Sequence, residues 1–525
     1  MILPQTNTIG GTASPEQTSY DCIVCGAGSA GSVVAAELAR NPDVSVLLLE
    51  AGATDEIATV SDPDQWLANL GADTDWGFSA APNVNLNGRA IPYSMGKVLG
   101  GGGSINVAVW SRGHKADWDH FAEVSGDSGW AYDAVLELYR KIESYQASPS
   151  EIEGSGPMWI RPAQDRHPFY DAVLESMTAQ GIQRFDRQSG PLWEAPHGCS
   201  YVDETIRGSQ RQSPFRSYIG PQLGRPNLTI STGAVVLRVL MDQARAVGVE
   251  FIQHGQVRRV YARTEVILSL GAINTPKILM LSGIGDEAKL KPFGIPVIQH
   301  LPGVGSQLHD HIALGCSWQA GAAEMPVQPR GQAVCFWKTD LSQQLPNALA
   351  FAIPIIYATP ENSRKFSLPS RGWSLFAGMA PQSRGELSLT GSDPLAPPCI
   401  QTNFLSQPED LRSALRLVEM CRAIGNDAAL GRYRADEIMP GALTGEALEH
   451  YVRDGIGTFW HQSGGAQMGT DERAVVDGQL KVRGIDALRV ADASVMPRVT
   501  VGNTMAPCVV IGARAADLIK AEHGL

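Results

Sequence analysis

Short apolar runs separated by glycine- and proline-rich turns dominate the 525-residue chain, and their order predicts a mixed α/β and α+β fold. Residues 22–25 and 44–49 read as buried strands on either side of a helix-compatible segment. The β-branched runs 228–232, 235–241, 247–252 and 257–261, divided by turn residues, predict a β-meander. Residues 265–270 predict a further buried strand, which turns at Gly271 into a helix that begins near Pro276 and ends by Gly283. Between about 316 and 454 the pattern changes: proline-punctuated segments precede a stretch of helical periodicity at 408–426. Strand and helix patterns then return at 488–491 and 504–520. This alternation predicts a Rossmann-like domain built from 19–160, 220–315 and 455–525. A second, antiparallel-sheet domain for substrate (161–219 and 316–454) is interleaved with it, and residues 1–18 form a loose polar tail.

Composition narrows the partners. Charged residues are 18% of the chain, below the usual ~25%, which suits a large interior. The net charge of −12 comes without a Lys/Arg cluster, which argues against nucleic acid. No run of ~18 apolar residues exists to span a membrane. Residues 1–18 lack a basic and apolar leader pattern and read as a loose tail; eight cysteines do not make a disulfide framework, so a reducing cytoplasm is the expected location.

The most informative segment is 21–50. An apolar strand enters Gly26-x-Gly28-x-x-Gly31, a helix follows, then a second strand, and then Glu50. Gly26 permits a tight turn, Gly28 lets backbone approach a pyrophosphate, and Gly31 lets helix pack on strand. The helix N-terminus offers N–H groups to phosphate, and Glu50 stands where an acid accepts from an adenosine ribose. Two other motifs read as structural. Cys22 and Cys25 spell CxxC, but residues three apart on a strand face opposite ways, so neither redox nor zinc chemistry is expected. His309-Asp310-His311 has no third clustered ligand and reads as a hydrogen-bonding loop, so no metal is expected.

Gly96-Lys97-Val98-Leu99-Gly100-Gly101-Gly102-Gly103-Ser104-Ile105-Asn106, continuing through Trp110, Gly113 and Asp119, resembles a signature of the glucose–methanol–choline (GMC) flavoenzyme family. A second such signature runs from Gly271-Ala272-Ile273-Asn274-Thr275-Pro276 to Gly285. Phe459-Trp460-His461-Gln462-Ser463-Gly464-Gly465 and Val501-Gly502-Asn503-Thr504-Met505 resemble the family's catalytic segments. The resemblance implies FAD as cofactor, bound by Gly26, Gly28, Gly31, Glu50, Ala51, Gly101, Gly102, Asn106, Val109, Val236, Asp492, Ala493 and Thr504. It places Ile105 where some members attach FAD through a histidine, which implies non-covalent FAD.

The same resemblance implies His461 as base for a substrate hydroxyl and Asn503 as its hydrogen-bonding partner. The chemistry is sound on its own terms: hydride leaves an alcohol carbon most easily while the oxygen loses its proton to a neutral imidazole. A neighbouring amide N–H stabilises the developing alkoxide. Its compact length and Trp460 beside His461 make the chain resemble the family's small aromatic-alcohol oxidases, which implies an aromatic or heteroaromatic primary alcohol as substrate and oxygen as acceptor. The alternatives are an aliphatic-alcohol or choline dehydrogenase passing electrons to a quinone, and, in another class, a hydroxynitrile lyase.

Overall fold

The computed structural model describes residues 18–148 and 150–525; the expected tail lies outside the described residues except for Thr18. Two large sheets form the frame. β1 (Ser19–Cys25), α1 (Ser29–Ala39) and β2 (Val46–Leu49) make the opening βαβ unit, with Cys22 to Cys25 paired in parallel to Val46 to Leu49. Every β2 residue is buried, as a strand covered on both faces requires. Further along lie β3 (Gly198–Tyr201), β4 (Leu228–Ser231), β5 (Val235–Asp242), β6 (Arg245–Gln253), β7 (Gln256–Leu268) and α2 (Gly271–Leu281). They are followed by β8 (Ile312–Ala320), β9 (Ala333–Trp337), β10 (Ala348–Ile353), β11 (Gly372–Met379) and α3 (Pro408–Gly425). β12 (Arg434–Met439), β13 (Gly457–Thr458), β14 (Leu488–Val490) and α4 (Met505–His523) complete the frame.

The first sheet has seven strands in the order β4-β2-β1-β7-β6-β5, with β14 also paired to β7. Three expectations change here. Residues 228–231 leave the meander and pair in parallel with β2 at the opposite edge. The cause is Asn227, whose Nδ2 donates to the carbonyls of Ala39, Asn41 and Val44 and so pins the strand's start beside β2. The runs at 257–261 and 265–268 are one 13-residue strand, antiparallel to β6 in its first half and parallel to β1 and β14 in its second. The polar residues between them do not break it, because Arg263 reaches Asp21 at 2.8 Å along the sheet surface. Finally, α2 starts at Gly271 and contains Pro276. Its first turn forms early because the Asp492 carboxylate accepts from the Gly271 N–H at 2.9 Å and from Thr275 Oγ1 at 2.6 Å.

The second sheet is antiparallel, in the order β12-β8-β11-β10-β9-β3, and β13 joins it by pairing with Ile312 and Ala313 of β8. β9 and β10 are buried throughout. α3 packs on this sheet so closely that a Cβ on Gly425 would lie 2.0 Å from the Trp318 ring. Phe351 and Ile353 of β10 and Phe376 of β11 face a cleft toward the first sheet. Among the described residues no helix is long and apolar enough to cross a membrane.

Candidate active site

One cleft runs from the glycine turn after β1 to the neighbourhood of His461. It gathers Gly26, Gly28, Glu50, Ala51, Gly101, Gly102, Asn106, Val109, Asp492, Ala493 and Thr504, together with Trp460, His461 and Asn503. Two expected residues lie outside its lining. Val236 has its side chain in the core of the first sheet. Gly31 lies within α1, where a Cβ would stand 2.0 Å from the Gly26 carbonyl oxygen; its part is to let helix and turn close on each other.

The glycines form a cradle that side chains would fill. Gly26 holds φ of +99°, with Ser269 O only 2.3 Å from where a Cβ would be. Gly101, at φ +54°, would put a Cβ 2.8 Å from the Gly28 Cα. The two glycine turns are therefore back to back at one end of the cleft. Glu50 accepts from Ala27 N at 2.9 Å and Gly52 N at 2.8 Å, while burial pushes its carboxyl up to about 7. Each carboxylate oxygen keeps lone-pair capacity for a further donor. Asp492 is fully engaged by the chain, accepting from Gly271, Thr275 and both the N–H and Oγ of Ser494. Its role is to fix the start of α2 at the cleft wall. Ile105 is buried against Val60 and Val98 and lines the cleft.

At the other end, His461 is held by the segment before β8. His309 exchanges two backbone hydrogen bonds with Ser463, each 2.8 Å, and Phe459 N donates to His311 O at 3.0 Å. Trp460 has a left-handed φ of +60°, closed by its N–H donating to Thr458 Oγ1 at 2.8 Å. That conformation is costly for a bulky residue, on the order of 1–2 kcal/mol, and it lets consecutive residues Trp460 and His461 both line the cleft. Asp310 accepts from the His461 N–H at 2.9 Å and from Thr458 Oγ1. His309, Asp310 and His311 therefore act as the expected hydrogen-bonding loop, applied to the site itself.

The His461 ring is buried, and Nδ1 lies 2.9 Å from His311 Nδ1 while Nε2 lies 3.2 Å from Asn503 Nδ2. Burial holds His461 well below the ordinary histidine value, with His311 adding to the effect; burial also lowers His311, to about 3. Both shifts favour the neutral form of the ring. Asn503 shortly precedes α4, whose capping residue Thr504 and first residue Met505 also line the cleft. Around this end stands an aromatic wall: Trp66 meets Trp460 edge-on at 6.1 Å, and Phe376 lies 6.1 Å from Trp460 and 4.5 Å from Tyr357. Among the described residues the lining contains no Lys or Arg, and its acids are Glu50 and Asp492.

The N-terminal pattern of GMC oxidoreductases matches residues 20–313, and the C-terminal pattern matches 381–512. The chain belongs to the GMC oxidoreductase family. This GMC oxidoreductase is 34% identical to the oxygen-dependent choline dehydrogenase of Citrobacter koseri over 96% of both chains. It is 36% identical to an uncharacterized GMC-type oxidoreductase of Mycobacterium tuberculosis, over 96% of this chain and 99% of that one. Among solved structures, pyridoxine 4-oxidase from Mesorbium loti superposes with a TM-score of 0.88 at 28% identity, covering 96% of this chain and 99% of the other. The protein is an FAD-dependent alcohol oxidoreductase. The glycine cradle, with an acid beside its first turn, fits that cofactor: it offers backbone at close range where phosphates need it and an acceptor where a ribose needs one.

Several site residues lie beyond the reach of the sequence motifs. His311 belongs to a triplet that stands out in the sequence, but nothing local says that it meets a ring 150 positions away. Trp66, Tyr357 and Phe376 carry no signal beyond their aromatic type, since three separate stretches of chain bring them together.

Proposed function

We propose that this GMC oxidoreductase converts a neutral aromatic or heteroaromatic primary alcohol to the aldehyde, using non-covalent FAD and molecular oxygen as final acceptor. The observation that carries this reading is the neutral His461–Asn503 pair at the end of an aromatic-walled cleft. When bound, FAD supplies the hydride acceptor. His461 Nε2 takes the hydroxyl proton, which a neutral imidazole can do and a protonated one cannot. Asn503 Nδ2 lies beside that nitrogen and donates to the same substrate oxygen as negative charge builds on it. The ring of the substrate packs between Trp66, Trp460 and Phe376. FAD is held between the two glycine turns, with Glu50 accepting from its ribose. Ile105, at the position of covalent attachment in some members, offers no nucleophile. The first sheet with its flanking segments (19–160, 220–315 and 455–525) binds FAD, and 161–219 with 316–454 shapes the alcohol pocket.

A second reading, choline oxidation with a quinone acceptor, draws on the same aromatic wall, because ring faces attract a quaternary ammonium. Against it, neither acid of the lining is free to pair with that cation: Glu50 lies at the glycine turn and Asp492 is saturated by the chain. Anaerobic stopped-flow over a panel of benzylic and pyridyl alcohols, aliphatic alcohols and choline, with hydrogen peroxide measured in air, decides between the two. The expected result is fastest flavin bleaching by ring-bearing alcohols and peroxide in equal yield to aldehyde. His461→Ala should keep its FAD and bleach about 10²–10⁴-fold more slowly. Fastest bleaching by choline, or bleaching by none of the alcohols, overturns the proposal.

A further inference from the structure

The buried polar groups behind Asn503 form a directional chain. The backbone N–H of Asp203 donates to the Gln188 side chain at 3.0 Å. A backbone N–H can only donate, so the atom it meets is Oε1, and the amide's other end is Nε2. That Nε2 lies 2.8 Å from Ser111 Oγ, which therefore accepts. The single hydroxyl proton of Ser111 then goes to Asn503, 3.1 Å away, and the atom that receives it is Oδ1. Asn503 is left presenting Nδ2 to His461 Nε2, at 3.2 Å. Gln188, Ser111 and Asp203 are all fully buried, so bulk water does not compete for these hydrogen bonds. The loop carrying Gln188 is itself tied down: Ser189 N donates to Asp203 Oδ2 at 2.6 Å, and Tyr145 Oη donates to Oδ1 at 3.1 Å.

We infer that Gln188 and Ser111 are positioning residues that fix the orientation of the Asn503 amide and thereby hold His461 in its Nε2-unprotonated form. This inference rests on the reading of His461 as base. A flipped Asn503 would turn its oxygen to the ring, favour a proton on Nε2, and occupy the one position that must take the substrate's proton. With the amide fixed, the ring proton resides on Nδ1, where His311 Nδ1 accepts it at 2.9 Å. The burial that lowers His311 keeps that acceptor available. One fixed backbone donor thus sets the tautomer of an imidazole through three side chains.

The test is a double-mutant cycle on the limiting rate of anaerobic flavin reduction, using the fastest alcohol of the panel with the FAD-loaded protein. Ser111→Ala and Gln188→Met should each lower the limiting rate about three- to tenfold, the scale of one neutral hydrogen bond. FAD occupancy and the half-saturating alcohol concentration should stay within about twofold. In an Asn503→Ala background neither substitution should lower the rate further, since both act through that amide. Losses that multiply with Asn503→Ala, or no loss in either single variant, would refute the inference. If His461→Ala bleaches at the normal rate, the base assignment fails instead. A slow His461→Ala with unaffected Ser111→Ala removes the positioning chain alone.

Discussion

Replacing Glu50 by Gln isolates the acid at the end of the first βαβ unit. Its carboxyl is buried and pushed up to about 7 from 4.5, the two backbone N–H donors only partly offsetting the loss of water. Between pH 4.5 and 7 the folded chain without FAD holds a proton that the unfolded chain has lost. Stability from this group is therefore complete below pH 4.5 and falls as pH rises through 7. At ~1.4 kcal/mol per pH unit the loss approaches about 3 kcal/mol. If Glu50 accepts from the ribose as proposed, bound FAD favours the ionised form. Wild-type affinity should therefore rise about tenfold from pH 6 to pH 8. Glu50→Gln keeps the shape but removes the charge and cannot accept from both Ala27 and Gly52. Its FAD affinity at pH 8 should drop about ten- to hundredfold, the equivalent of ~1.5–3 kcal/mol, and lose most of its pH slope. The assay is fluorescence titration of deflavinated protein at several pH values, alongside thermal unfolding of the same samples. Burial also raises Asp310 to about 7, but that residue is common to both proteins and cancels in the difference between them. Equal slopes in wild type and variant would refute the assignment of Glu50 to the cofactor.

Two more outcomes follow from the cradle. Acid precipitation should release free FAD into the supernatant, because Ile105 offers no nucleophile; yellow pellets would show a covalent link formed elsewhere. Gly31→Ala must displace either α1 or the Gly26 carbonyl, 2.0 Å from the new methyl, so the folded protein should purify with little flavin, judged by its absorbance ratio at 450 and 280 nm.

Local chemistry was readable in the sequence, whereas convergence was not. The strand–glycine–helix–strand–acid order around Gly26 and Glu50 is a contiguous pattern, and the structure forms it over those residues. The helix at 408–425 and the closing helix were legible from their helical patterns. By contrast, β4 looked like the first arm of a meander, and its true partner was decided by the Asn227 amide and three carbonyls near residue 40. The start of α2 depended on Asp492, more than 200 residues downstream. The aromatic wall and the Gln188–Ser111 chain are products of that same long-range assembly.

His461 and Asn503 both lie in the 455–525 segment, but each is anchored to a different layer. The histidine hangs from the second sheet, zipped to the strand entering β8, whereas the asparagine sits at the head of α4. That helix lies so tightly on α1 that a Cβ on Gly512 would stand 2.5 Å from the Ala30 carbonyl oxygen. The 3.2 Å contact between the two side chains is thus a strut across the seam where the two layers meet. Slippage along that seam would lengthen the contact without breaking a strand pairing or a helical hydrogen bond. On gentle heating, turnover should therefore fade while circular dichroism still reports an intact fold, so the reaction rate is a finer gauge of how the layers are aligned than any spectrum of the backbone.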